Sequence, residues 1–316
     1  MGHNEIDLEA LHRGLFGVPR DEHTTPPAQT GSLHDVALQW VDSERFRHIL
    51  RDRLGLWPQD KWVCTDYSGR NGVYRMWVNL HDGYVSHGVL NSNWECGEVD
   101  FMLSCLQPGD AMLDIGANVG VFSVQAAAAV GSEGTVHSFE PSPVINRMLQ
   151  RTIYENGLMD RCVLHPYGLG DRDTEGRYHR AAHSTNPGAS FISQDGPEAG
   201  AAGEAIQVRR LDSLNFSKRV AFIKMDVEGF EHHIVRGAIN LLRDHRPTVM
   251  SEFFPRSLRV IGQSSGAEYI AEWERLGYRV QLLEPDGSVT HDLASNGVSQ
   301  FDGFDVPLNI VCTHRG

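Results

Sequence analysis

The sequence predicts an α/β fold: a mostly parallel, doubly wound sheet closed by an antiparallel strand pair. Three observations predict it. Apolar, strand-like runs alternate with helical patterns between residues 111 and 276; the first run ends in a Gly-rich turn, Asp114-Ile115-Gly116-Ala117-Asn118-Val119-Gly120; and the chain finishes on two strands with no helix between them. Strands that alternate with helices pair in parallel. Two strands joined without a helical crossover must be antiparallel.

The elements follow in order. Residues 1–32 are mixed, and Thr24-Thr25-Pro26-Pro27 with Gly31 reads as a linker. Apolar spacing over Leu33 to Leu54 predicts one or two amphipathic helices, an appendage able to cover a site, build a homodimer interface or pack on the main domain. Residues 61–90 read as β-rich. Val73 to Leu80 partly alternates, His81-Asp82-Gly83 turns, and Tyr84-Val85-Ser86 returns as a hairpin, ahead of Trp94-Glu95 and a helix through Leu106. Core strands are expected at 111–115, 135–139, 162–166, 220–225 and 247–253, with helices at 120–130, 142–156, 230–243 and 266–276. Tyr278 to Leu283 and Val306 to Cys312, separated by Pro285-Asp286-Gly287, complete seven strands. The division that results is an extension over 1–92 and a catalytic-type domain over 93–316.

Composition narrows the class. The 316 residues carry a net charge of −13, a poor match to a phosphate backbone, so no nucleic-acid partner is expected. No apolar run approaches the roughly 20 residues that span a bilayer, and the polar, acidic start is unlike a signal peptide. Five scattered cysteines without metal-type spacing read as reduced thiols of a cytoplasmic protein.

The Gly turn carries the first chemical signal. It joins strand to helix, the place where open α/β sheets bind ligands, and Gly116 and Gly120 permit close backbone approach. A dinucleotide site would show G-x-G-x-x-G; here the middle Gly is absent, and Asp114 would repel a pyrophosphate. A carboxylate suits an ammonium instead. Glu140 ends the next strand, about 24 residues after Gly116, where a carboxylate can take two ribose hydroxyls. An ammonium and a ribose without a pyrophosphate fit S-adenosylmethionine. The bland alternative is an ordinary α/β turn with a capping Asp.

The second signal is Lys224-Met225-Asp226-Val227-Glu228-Gly229-Phe230-Glu231. Asp226 falls at a strand's carboxyl end, in the ligand crevice. Lys224 shares its face by period two and can simply pair with it. Glu231 opens a helix, where an acidic residue is favoured as a cap. Asp226, Glu228 and Glu252, at adjoining strand ends, are candidates to take a proton from an acceptor hydroxyl. Alternatively, two carboxylates there can hold Mg²⁺. His183, in the excursion 171–205, is a further candidate base. His232 and His233, adjacent on a helix, do not face one another and are not a metal pair.

These segments together resemble the FkbM-type methyltransferases. Asp114 to Gly120 is similar to that family's cofactor loop, Phe139-Glu140-Pro141 to its ribose site, and Lys224 to Glu231 to its most specific signature. Gly168-Leu169-Gly170-Asp171, Asn186-Pro187-Gly188-Ala189-Ser190, Leu211-Asp212-Ser213-Leu214, Arg246-Pro247 and Glu252-Phe253 are similar to further family segments. The resemblance covers roughly residues 94–283. It implies a class I methyltransferase, a Rossmann-like seven-stranded sheet with an antiparallel last strand. It also implies S-adenosylmethionine held by Asp114, Gly116, Asn118, Gly120, Glu140, Gly168 and Asp226, and methyl transfer to a hydroxyl of a sugar or secondary metabolite. Two other readings are a non-catalytic cofactor-binding scaffold, which the intact signature argues against, and a nicotinamide oxidoreductase, disfavoured by the missing glycine pattern.

Overall fold

The computed structural model describes residues 61–180, 190–194, 203–304 and 306–316. The linker and helices expected before residue 60, and His183, lie outside the described residues. One compact unit spans Asp60–Gly316. It begins with a hairpin of β1 (Trp62–Ser68) and β2 (Val73–Asn79). Tyr67, Tyr74, Met76 and Val78 of this hairpin are buried in the same core as the sheet. The hairpin therefore packs with the sheet.

That hairpin also corrects the expected one. The partner of β2 precedes it, turning through Gly69, whose N–H donates to the carbonyl of Gly72 at 2.9 Å. The segment after β2 is helical: α1 (Val85–Leu90), then α2 (Cys96–Cys105). Asp82 is the cause. Its carboxylate accepts the backbone N–H groups of Tyr84 (2.9 Å) and Ser86 (2.8 Å), which satisfies donors that a helix start leaves free.

The central layer alternates as expected: β3 (Ala111–Ile115), α3 (Val121–Val130), β4 (Thr135–Phe139), α4 (Pro143–Glu155) and β5 (Cys162–His165). Pro143 at the first turn of α4 and Ser142 at its N-cap set that helix start. A separate four-stranded sheet follows, of β6 (Gly168–Leu169), β7 (Thr174–His179), β8 (Phe191–Ser193) and β9 (Glu204–Arg209), ordered β6-β9-β7-β8. The chain returns through β10 (Val220–Met225), α5 (Glu231–Arg236), α6 (Ile239–His245), β11 (Thr248–Phe253), α7 (Pro255–Val260) and α8 (Gly266–Arg275). It ends in β12 (Tyr278–Leu283), β13 (Val289–Leu293) and β14 (Leu308–His314).

The main sheet is ordered β13-β12-β14-β11-β10-β3-β4-β5, with β14 antiparallel to both β11 and β12. This is the predicted seven-stranded, mostly parallel α/β sheet with an antiparallel last strand. An eighth strand, β13, pairs along the outer edge of β12. Both faces of the sheet are covered, so its strands are apolar on both sides. Met112, Phe222, Met250 and Val311 fill one core; their neighbours Leu113, Ile223, Val249 and Ile310 fill the other.

The single helix expected over 230–243 is two. Gly237 interrupts it because the backbone carbonyl of Gly170 lies where a side chain would start. Asp212 then caps α6, accepting the N–H groups of Asn240 (3.0 Å) and Leu241 (2.9 Å). No helix among the described residues is long and apolar enough to cross a membrane.

Candidate active site

Parallel register aligns the strand ends. Ile115 pairs with Phe139 and Met225, Phe139 with His165, and Met225 with Ser251. The residues just past those ends, Gly116, Glu140, Tyr167, Asp226 and Glu252, consequently meet at one edge. There they line a cavity of about 440 Å³. Its remaining wall includes Tyr84, Trp94 and Glu95 from the segments before β3, Phe254 after β11, and Tyr178, Ser190 and Phe191 from the small sheet.

The loop after β3 is fixed by its own backbone. The N–H groups of Gly116 and Ala117 both donate to the carbonyl of Phe139 at 3.0 Å. Gly116 has φ +80°, and a Cβ there would collide with the carbonyl oxygen of Asp226. Gly116 is thus required by two crossing backbones before any ligand enters. Gly120 does not reach the cavity; a Cβ there would meet Leu149 of α4 at 2.7 Å.

Asp114 does not reach the cavity either. It is 0% exposed beneath the loop, where one carboxylate oxygen accepts from the Ser123 hydroxyl at 2.5 Å and the other has no partner. Burial raises its pKa, against the opposing effects of Lys224 and Ser123. Asp114 therefore lies beneath the loop, not on the cavity wall.

Glu140 does face the cavity. One oxygen accepts from the Asn118 N–H (3.1 Å) and the other from the Ser142 N–H (2.8 Å), fixing the carboxylate at the end of β4. Burial pushes its pKa up to about 7 despite those donors. Asn118, at φ +49°, and Gly168 line the cavity beside it.

The signature after β10 sorts into structural and exposed parts. Glu231 is 1% exposed and accepts the N–H groups of Val227 (3.1 Å) and Gly229 (3.2 Å); it ties the loop before α5 together and does not cap the helix. Lys224 is 6% exposed and pairs with Asp226 at 3.2 Å, while its ammonium stands 5.1 Å from the Phe122 ring centre. Burial works to lower the Lys224 pKa, but Asp226, Asp114 and Glu95 outweigh it and raise it.

Glu95, Glu228 and Glu252 line the same cavity, and among the described residues none of them forms an ion pair. Burial pushes Glu95 and Glu228 up to about 8, with Asp226 adding to the rise in both. Glu252 is raised well above the ordinary carboxylate range by burial and by Asp226, Glu231, Glu228 and Glu95. Its Oε2 is buried and has no hydrogen-bond partner.

Asp226, Glu228 and Glu252 are therefore brought together, as is Glu140 from across the sheet. Glu95 was not legible as a site residue, since it precedes the sheet and only the turn into α2, at φ +45°, carries it in. Among the described residues, no three His, Cys, Asp or Glu side chains form a group suited to a metal ion. The Mg²⁺ alternative finds no support there. His232 and His233 part company as expected: His232 meets Ser264, while His233 meets Asp171 (3.0 Å) and the Gly262 carbonyl (2.9 Å).

The model of the methyltransferase FkbM domain matches residues 114–280, more than half of the chain. The chain belongs to the FkbM methyltransferase family. Among solved structures, an FkbM methyltransferase from Methylobacillus flagellatus KT is 16% identical, with a TM-score of 0.41, over 69% of this chain and 51% of the other. The match thus spans about half the length of that relative. A SAM-dependent O-methyltransferase from Thermotoga maritima is 12% identical, with a TM-score of 0.42, over 82% and 86% of the two chains. A precorrin-6y C5,15-methyltransferase from Geobacter metallireducens GS-15 is 13% identical, with a TM-score of 0.39, over 70% and 90%. No curated protein matches the sequence.

Proposed function

We propose that this FkbM-family chain transfers a methyl group from S-adenosylmethionine to a hydroxyl of a small acceptor, a sugar or a secondary metabolite, in the cytoplasm. The observation that carries the reading is Glu140. Its carboxylate is fixed by two backbone N–H groups at the end of β4 and turned into the cavity, and among the described residues it pairs with no cation. Each oxygen keeps a free lone pair for a vicinal diol. The rest of the wall fits the same cofactor. Phe139, Tyr167 and Leu169 offer apolar surface for a base, and Asp226, Glu228 and Glu95 offer negative charge toward a sulfonium and an ammonium.

When bound, the cofactor supplies a methyl group already activated on sulfur. The protein's part is to align, to exclude water and to take a proton. Glu140 holds the ribose end. Lys224 fixes Asp226 beside the Gly116 loop. Tyr84, Trp94 and Phe254 wall the acceptor side with aromatic surface. Glu252, which lines the cavity at the end of β11, is assigned as the proton acceptor, with Glu228 on the same wall. With cofactor and acceptor bound, Glu252 would take the hydroxyl proton as the acceptor oxygen took the methyl group from sulfur.

The test is binding first and turnover second. S-adenosylhomocysteine should raise the melting temperature, since a ligand of the native state alone stabilises it by mass action. Labelled methyl should then appear in a hydroxylated acceptor. No shift with S-adenosylhomocysteine would overturn the reading at its root.

A further inference from the structure

We propose that His165, braced by His137, is a positioning residue for the base end of the cofactor site; this rests on the methyltransferase reading of the cavity. His165 closes β5 beside Phe139, its partner in register at the end of β4. Its imidazole meets both aromatic side chains assigned to the base. It stacks on the Phe139 ring, with centres 4.3 Å apart and planes 11° apart. Its Nδ1 lies 2.9 Å from the Tyr167 hydroxyl. Phe139 and Tyr167 line the cavity, whereas His165 and His137 do not.

Stacking alone calls for no histidine, since a phenylalanine would stack as well. The ring nitrogens set this residue apart. Burial pushes both histidines down to about 4, so each ring is uncharged at neutral pH. A neutral imidazole carries one N–H and one bare nitrogen. His165 commits both, Nδ1 to Tyr167 and Nε2 to Nδ1 of His137 at 3.1 Å. Rotation of the ring about its bond to Cβ breaks the two bonds together. His137 is held in turn by the Phe216 ring, 4.9 Å away and at 90°. The chain of three side chains thus fixes the Tyr167 hydroxyl from behind the cavity wall. The Arg209 guanidinium, 5.5 Å from the Tyr167 ring centre, steadies the ring itself. A wall ordered before the ligand arrives has less freedom to lose on binding, so the chain contributes to affinity for the base.

The experiment uses the full chain and two probes, S-adenosylhomocysteine and 5′-methylthioadenosine, which share base and ribose but not the amino-acid end. Calorimetric titration gives the affinity for each. Tyr167→Phe removes a single oxygen, His165→Phe keeps the stack and removes both ring nitrogens, and His137→Leu removes the brace. Each is expected to weaken both probes by the same factor, about fivefold or more, the scale of a lost hydrogen bond. Tyr167→Phe and His165→Phe combined should bind no more weakly than the worse of the two, because both delete the same bond. His137→Asn keeps a polar atom where Nδ1 stands and should return affinity to within about twofold of wild type. A packing role alone predicts lower melting temperatures with unchanged affinity in the folded variants, and Asn no better than Leu at 137. That result, or single effects that multiply in the combined variant, overturns the proposal. Melting curves on the same samples show which variants are folded, and Tyr167→Phe carries the test if His165→Phe is not. Wild-type binding of S-adenosylhomocysteine with unaffected variants sinks this inference alone; no wild-type binding sinks the methyltransferase reading and the inference with it.

Discussion

The α-carbon of Gly116 and the carbonyl oxygen of Asp226 leave no room for a side chain between them. The cofactor loop and the signature loop are thus one backbone unit, and a change in either is felt by both.

Gly116→Ala is therefore expected to destabilise the fold as well as the site. The left-handed φ alone costs about 1–2 kcal/mol for a residue with a Cβ, and the collision is with backbone, which cannot swing away. Gly168→Ala is the control: its Cβ would meet the tip of the Ile192 side chain at 2.8 Å, and Ile192 can move. Thermal melts should show Gly116→Ala well below wild type and Gly168→Ala close to it. Equal melting temperatures would remove the close-approach account.

Glu140→Ala should weaken S-adenosylhomocysteine binding by ~2–3 kcal/mol, the scale of hydrogen bonds to a charged group. It also strips the Asn118 and Ser142 N–H groups of their acceptor. Calorimetric titration measures the affinity, and turnover at saturating cofactor should fall less. An unchanged affinity would refute the ribose role.

Glu252→Gln keeps the shape and removes the proton acceptor. Turnover should fall by ~10²-fold or more, the range of a lost acid–base group. Affinity for S-adenosylhomocysteine should stay within about tenfold. Asp226→Asn differs, because it frees Lys224 from its partner at 3.2 Å and so should also lower stability. Near-wild-type turnover in Glu252→Gln would pass the base role to Glu228.

Stability without ligand should depend on pH in a stated direction. Glu95 and Glu228 have folded pKa values raised to about 8 and Glu140 to about 7, from an ordinary 4.5. The folded state then binds more protons than the unfolded state, and stability falls as pH rises through that range. His137 and His165, lowered by burial to about 4, act oppositely, but only below their ordinary 6.5. Between about pH 6.5 and 8 the carboxylates therefore prevail, and the melting temperature should decline. Glu228→Gln should flatten the decline, and a melting temperature that rises across the window would contradict it.

How much of this is legible in the sequence depends on how local the cause is. The strand ends at Ile115, Phe139 and Met225 are, because apolar runs stop abruptly at Gly, Glu and Asp. Glu140 follows from them. Glu231 is legible only as structural: its place at a helix start suggests a cap, but the N–H groups it accepts, those of Val227 and Gly229, precede the helix. The break at Gly237 is not legible, since it answers to Gly170 across the fold. Nor is the turn of α1, since Tyr84-Val85-Ser86 looks extended until Asp82 is seen holding its N–H groups. Asp114 misleads for a related reason: from the motif it looks exposed at a strand end, but the loop folds over it.

The strand order also constrains when the protein can fold. β14 is the last strand made, yet it lies between β11 and β12 and pairs with both. Until Leu308–His314 leave the ribosome, β12 and β13 have no partner within the rest of the sheet, and β11 keeps an open apolar edge. Unpaired edges of that kind are where growing chains aggregate. Completion of this sheet waits for Leu308–His314, and a nascent chain stalled short of Leu308 would be a natural client for chaperones.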